Sequence, residues 1–316
     1  MKNRSHSTEF ILLGLSDRLE HQKLLFIFFL FTYMITVLAD ATILILIKID
    51  PQLHSPMFTF LSHFSFVDIC VLTITVPKLL ADLMSDRKSI SFSACIIQLY
   101  FFLCIGNMEF FLLASMAYDR FVAICRPLHY TSMVNKRVCL KLVASSWVIT
   151  SVHALLHTLM TSQLSFCGSN QIHHFFCDLP PLLKLSCSNT STNELVIFTE
   201  GGLMLLGPFL FIIASYVGII SAILKIRSME GRSKAFSTCS SHFTLVALFY
   251  GSVFFMYFRP STSFTLDYDR VVSVIYTILI PMANPFIYSL RNKDIKRAFQ
   301  KVIGRMNMSC RMSCRM

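Results

Sequence analysis

The run Leu24-Leu25-Phe26-Ile27-Phe28-Phe29-Leu30-Phe31 opens a stretch that stays mostly apolar to Ile47 and holds one charged residue, Asp40. A helix needs about 20 mostly apolar residues to cross the hydrocarbon core of a bilayer, and residues 24–47 supply them. Six further blocks repeat the pattern, at 57–84, 97–118, 139–160, 195–224, 238–258 and 271–290. The block 57–84 is the least uniform, because Asp68, Lys78 and Asp82 interrupt it. Composition agrees. Apolar residues make up 54% of the 316 and charged residues 14%, against roughly 25% charged in soluble domains. So little charge does not cover the surface of a water-soluble protein of this size. The expected fold is an all-α membrane protein, a seven-transmembrane helix bundle over 24–290. Residues 1–23 form an extracellular N-terminus and 291–316 a cytoplasmic tail. The first 23 residues lack the ordered charged start, short apolar run and cleavage site of a signal peptide, so the first span is expected to be its own insertion signal.

Orientation follows from the basic residues, since Lys and Arg favour the cytoplasmic side. With the N-terminus outside, the inner segments hold Lys48, the set Arg120, Arg126, Lys136 and Arg137, the set Lys225, Arg227, Arg232 and Lys234, and a tail carrying eight basic residues. The outer segments hold fewer. The formal charge of +11 therefore reads as topology in a plasma-membrane protein, and no nucleic-acid partner is implied. Asn3-Arg4-Ser5 and Asn189-Thr190-Ser191 fit the glycosylation acceptor pattern and both fall outside. Asn307-Met308-Ser309 falls in the tail and is expected to stay bare. Within 292–304, Ile295, Phe299, Val302 and Ile303 form one face of a short amphipathic helix lying on the inner leaflet, a contact with membrane lipid.

Four of the eleven cysteines, Cys95, Cys167, Cys177 and Cys187, lie on the outer side, where disulfides persist. Four cysteines allow three connectivities. Pairing Cys95 with Cys177 and Cys167 with Cys187 would pin the long loop 161–194 to the third span and close a smaller ring within it. The loop also holds His173, His174 and Asp178, but a disulfide at Cys177 removes the thiolate a metal would need. Asp40, Asp68, Glu109 and Glu200 fall inside apolar spans. An Asp at mid-membrane costs about 2.5–3.5 kcal/mol on the mildest scale, so such groups face the bundle interior and have partners. Asp68 and Glu109 share a depth; a sodium ion or a shared, hydrogen-bonded proton would each satisfy them. His153 and His157 lie four apart, on one helical face. No carboxylate motif accompanies them, and they read as structural. No other cofactor and no metal is expected.

The inner end of the third span reads Met116-Ala117-Tyr118-Asp119-Arg120-Phe121-Val122-Ala123-Ile124-Cys125-Arg126-Pro127-Leu128-His129-Tyr130. With Leu53-His54-Ser55-Pro56-Met57, Lys234-Ala235-Phe236-Ser237-Thr238-Cys239-Ser240-Ser241-His242, and Pro281-Met282-Ala283-Asn284-Pro285-Phe286-Ile287-Tyr288-Ser289-Leu290-Arg291-Asn292, it closely resembles the odorant receptors of the rhodopsin-like G-protein-coupled class. The resemblance spans about residues 3–304, and the loop pattern is similar to the terrestrial-type branch. It implies a receptor for small volatile molecules that acts through a heterotrimeric stimulatory G protein and raises cyclic AMP, with Asp119 and Arg120 at the coupling face. Three departures stand out. The family usually has Asn in place of Asp40 and Tyr in place of Phe121. It also usually has Tyr, Phe and Asn where this chain has Phe58, Thr59 and His63. Asp40 bears on folding and gating, because it adds a buried acid near Asp68.

The resemblance places a ligand pocket in the outer half of the bundle, and the residues there suit one. Tyr250, Val253, Phe254 and Tyr257 are spaced i, i+3, i+4 and i+7 and share one face. Phe102, Leu103 and Gly106 lie outward of Glu109 on the third span. Glu200 and Met204 lie one turn apart before Pro208, and Val274 and Thr277 sit at similar depth on the last span. Tyr257 is the first expected polar contact. Two other readings compete. A channel or proton-coupled transporter would use Asp40, Asp68, Glu109 and Glu200 as a relay, but the internal repeats common in transporters are missing. A membrane enzyme would need a nucleophile or metal set at one depth, and the sequence displays none.

Overall fold

The computed structural model describes residues 9–15, 18–167, 169–257 and 266–313; the side chains of 234, 237–238, 255–257, 266–269, 289–291 and 305–313 are outside the description. Helix α1 is Leu19–Ile49, α2 Pro56–Leu83, α3 Phe92–Cys125 and α4 Lys136–Ser162. Helix α5 is Ser191–Leu224, α6 is Met229–Tyr257, α7 covers residues 266–291, and α8 is Lys293–Ser313. Each expected span falls within or nearly within one of α1–α7. Among the described residues six helices are long and apolar enough to cross a membrane, and α6 adds the shorter apolar stretch Cys239–Phe254. Together they make the seven-helix bundle.

Local chemistry sets the helix starts. Ser91 accepts from the Ala94 amide at 3.2 Å and Asn135 from the Val138 amide at 3.0 Å, which satisfies amides that lack a helical partner. Pro56 stands at the first position of α2, where its missing N–H costs nothing. Large apolar side chains face outward along the spans, among them Phe31, Leu38, Phe198, Leu203 and Val217. Contiguous apolar surface of this kind suits lipid rather than water. Helix α3 is central and packs most extensively on α4 and α5. Gly218 permits one close approach there, since a Cβ on it would lie 2.5 Å from the Phe121 ring.

One end of the bundle carries a cap that the sequence did not suggest. Strand β1 (Glu9–Leu12) pairs antiparallel with β2 (Ser89–Ser91) and parallel with β3 (Gln171–Ile172). Phe10 and Leu12 of β1 are fully buried, so part of the segment 1–23 packs on the long loop. At the other end α8 follows α7. Its expected apolar face divides: Ile295 is buried and Val302 packs on the bundle, while Phe299 and Ile303 point away from it. Lys301 Nζ reaches Asp50 and Gln52 at 3.1 Å each and ties α8 to the turn after α1.

Candidate functional site

The long loop is fastened over the capped end of the bundle. Disulfides join Cys95 to Cys177 and Cys167 to Cys187, the expected pairing. Gln98, one turn after Cys95 on α3, reinforces the first. Its Nε2 donates to the Ile74 carbonyl and its Oε1 accepts from the Cys177 amide, both at 3.0 Å. The loop is also held to α7. His174 accepts from the Phe176 amide through Nδ1, so its Nε2 carries the proton and donates to Ser273 Oγ at 2.9 Å. Burial, with Arg270 nearby, pushes His174 down to about 3, which keeps the ring neutral. Asp178 accepts from the Leu179 amide at 2.8 Å and the Tyr276 hydroxyl at 3.3 Å; burial pushes its carboxyl up to about 6.

Of the expected pocket residues, Phe102 packs directly on the loop. The Phe102 ring is 4.6 Å from that of Phe176 in the loop and 6.4 Å from Tyr276 of α7. One turn further along α3 a methyl group on Gly106 would meet nothing within 4 Å. The next turn brings Phe110, 5.5 Å from Tyr250. Tyr250 and Phe254 of α6 both pack on Phe209 of α5, at 4.8 and 4.9 Å. Val253 is buried in the same cluster and Val274 packs against it. Met204 is buried on α5. Thr277 is fully buried, and its hydroxyl donates to the Ser273 carbonyl at 2.6 Å. The Tyr250 hydroxyl is buried without a hydrogen-bond partner. Leu103 stands apart, in a second cluster with Cys95, Cys177 and Ala154. Tyr257 and Asn3 lie outside the described side chains, and Asn189 is exposed beside Cys187.

Glu200 has partners that its own stretch of sequence does not announce. A π turn over Ile197–Gly201 carries it toward α4. There His153 Nδ1 donates to it at 2.8 Å and His157 Nε2 at 2.9 Å. A second π turn, Ile275–Leu279, carries Tyr276 and Thr277 of α7. Single π turns inside α-helices recur at functional sites.

The mid-bundle acids converge. Asn284 Nδ2 donates to both carboxylate oxygens of Asp68 at 3.0 Å, and Asp40 and Glu109 lie within electrostatic reach of Asp68. Ser65 approaches Asp40. Beyond that contact both Asp40 oxygens, Glu109 Oε2 and Asn284 Oδ1 are buried without partners. Further along α3, Tyr130 donates to Asp119 Oδ1 at 2.7 Å. Arg120 is buried, in the electrostatic field felt by Tyr216, Cys239, His242 and Tyr288. Sequence reasoning gave His242 no role, yet it links three helices. Its Nε2 donates to the Leu113 carbonyl at 3.0 Å, and Nδ1 accepts from the Tyr216 hydroxyl at 2.8 Å. A histidine within an apolar span was the available signal.

Comparison with known proteins bears on all of this. A family model described as olfactory receptor matches residues 29–306. The rat protein olfactory receptor 1f45 is 52% identical over 302 residues, 96% of each chain. Human olfactory receptor 1L3 is 50% identical over 306 residues, 97% of this chain and 94% of its own. Human olfactory receptor 1F1 is 50% identical over 307 residues, 97% of this chain and 98% of its own.

Proposed function

The chain belongs to the olfactory receptor family, and on that premise we propose where its ligand binds and how the signal leaves. It is an odorant receptor and a multi-pass membrane protein, not an enzyme. The ligand is a small, largely apolar volatile with one hydrogen-bonding group. It lies between α3, α5, α6 and α7 under Phe176, against Phe102, Gly106, Tyr250, Val253 and Phe254. One observation carries this reading: the buried Tyr250 hydroxyl has no protein partner, and its ring packs 5.5 Å from Phe110, one turn along α3 from Gly106, where a Cβ would meet nothing within 4 Å. A buried polar group left unmade is costly, and a ligand oxygen or nitrogen would satisfy it. This moves the first polar contact from Tyr257 to Tyr250. Mostly apolar lining with few polar points is the usual form of a small-molecule site.

The capped end faces outward and α8 lies on the cytoplasmic leaflet of the plasma membrane, as the basic residues favour. Arg120, with Asp119, engages an olfactory stimulatory G protein that raises cyclic AMP. The group around Asp68, Glu109 and Asp40 takes a proton or a sodium ion, since its unpartnered buried oxygens call for positive charge. A volatile panel applied to cells with a cyclic AMP reporter identifies an agonist. Tyr250→Phe then lowers its potency about 2- to 13-fold, the worth of one hydrogen bond of roughly 0.5–1.5 kcal/mol. Gly106→Leu fills the open space and blocks the response. If both variants reach the surface and respond like the parent, the pocket lies elsewhere.

A further inference from the structure

We propose that His153, His157 and Glu200 form a binding site for one divalent transition-metal ion, zinc(II) in the first place, that joins α4 to α5. The three residues each offer a ligand atom, and these atoms lie within 4.8 Å of one another. Two imidazoles and one carboxylate are a zinc donor set, and three protein ligands leave a fourth position for water. The two histidines sit one turn apart on α4 with ring centroids 4.5 Å apart. Both present a nitrogen to the same Glu200 oxygen, at 2.8 and 2.9 Å.

Small side-chain shifts would bring the three ligand atoms to zinc-binding distances. With zinc about 2.0–2.2 Å from each ligand, tetrahedral neighbours stand about 3.3 Å apart. The two His–Glu contacts therefore open by about 0.5 Å, while the two ring nitrogens, within 4.8 Å of each other, close toward the same spacing, both by side-chain torsions. As the group stands, both rings must use an N–H to hold the carboxylate. Binding an ion shifts each neutral ring to its other tautomer, with the proton now on the far nitrogen, and turns the two near nitrogens into ligands; acid protonates the rings and competes with the ion, so affinity falls as pH falls.

Placement favours a specific site over a chance surface cluster. His153 and His157 are almost fully buried, at 7% and 2% exposure, in a span whose other face is apolar. Glu200 reaches them through the π turn, whose extra residue rotates the helix before it by about 100° relative to a regular α-helix. A deviation from regular helix thus serves this meeting. Nitrogen ligands select borderline transition ions over the hard ions magnesium and calcium, which take oxygen. The proposal does not depend on the odorant pocket, because none of its three residues is needed for the Tyr250 contact.

The test uses the full-length receptor without a histidine tag, purified in detergent micelles. Zinc retained after desalting is measured by elemental analysis, and thermal unfolding is followed with and without zinc chloride. One additional zinc per receptor is expected in the wild type compared with Glu200→Gln and with His157→Ala. The unfolding temperature is expected to rise with zinc in the wild type alone and not with magnesium chloride. Glu200→Gln keeps an oxygen that accepts from both rings, so it guards against a variant that fails to fold. His157→Cys is expected to restore binding with a shift from zinc toward cadmium. Equal zinc in the wild type and both loss variants overturns the site. An equal rise with magnesium also overturns it, as does cadmium binding no better to His157→Cys than to His157→Ala.

Discussion

Asp178→Asn is expected to stabilise the receptor at neutral pH although it removes a charge from the N-cap of the short loop helix Leu179–Leu185. The carboxyl is 1% exposed, and burial lifts it from its ordinary 3.8 to about 6. At pH 7.5 the unfolded chain ionises freely, whereas the folded chain ionises against desolvation. The difference of about 2.2 pH units corresponds to roughly 3 kcal/mol, at about 1.36 kcal/mol per unit. Between pH 3.8 and 6 the folded state holds the proton that the unfolded state has released, so this group's contribution to stability falls as pH rises through that window. Asparagine escapes this cost. It can still accept from the Leu179 amide, and the Tyr276 hydroxyl can turn to accept from its amide, because a phenol does either. The gain shrinks to about half at pH 5, where the folded aspartate is mostly protonated. His174 acts with the opposite sign. Pushed down to about 3, it costs stability as pH falls below 6.5, in wild type and variant alike, and cancels in their difference. Thermal unfolding of both proteins in one detergent at pH 5 and 7.5 measures this. An asparagine variant less stable at pH 7.5, or a gain independent of pH, would refute the reasoning.

Other expectations concern the middle and inner parts of the bundle. Asp68→Asn and Glu109→Gln should be strongly non-additive in surface expression and basal signalling, as coupled neighbours are; additive effects would count against a shared polar site. Asp40→Asn should raise surface expression, because an amide costs less to bury than a carboxylate left largely unpartnered. A loss would show that the chain has adapted to the acid. Arg120→Ala should abolish cyclic AMP signalling while surface level stays largely intact. Retained signalling at normal expression would remove Arg120 from the coupling face.

The seven spans were legible because hydropathy is additive along one helix and needs no partner. Even 57–84 was legible, although charged residues interrupt it. Lys78 pairs with Asp82 one turn away, and Asp68 meets Asn284 across the bundle. The disulfide framework was legible from four outer cysteines and the family pattern. Strand β1 was not, because four residues beside polar neighbours carry too little alternation, and its partners lie at 89–91 and 171–172. Neither π turn leaves a mark in composition. For that reason the sequence alone presents Glu200 as a pocket residue and His153 with His157 as a pair lacking a carboxylate. Their meeting joins residues 43 and 47 apart in the chain and depends on how α4 packs beside α5. Leu103 shows the same limit in reverse: it neighbours Phe102 in sequence, yet adjacent helical positions do not share a face.

The two ends of the site differ in how they are fastened, and the difference bears on signalling. Phe176, over the proposed ligand space, is held through the Cys95–Cys177 bond, the Gln98 bridge and the contacts of His174 and Asp178 to α7. Among the described residues of helix α6, Tyr250 and Phe254 pack by their rings, and His242 links to Leu113 and Tyr216. Tyr250 and His242 are eight residues apart, about 12 Å along the helix axis. On the proposed pocket, a ligand held under the disulfide-fastened roof would press on the α6 rings, and a rigid helix would carry that displacement inward to His242, in the group around Arg120. The ligand can drive the change only by the difference in its affinity for the two arrangements. The hydrogen bond at Tyr250 contributes to activation only insofar as it is stronger in the arrangement that frees His242. Tyr250→Phe should then reduce maximal response as well as potency, whereas a change in potency alone would mean that the hydroxyl contributes binding to both arrangements equally.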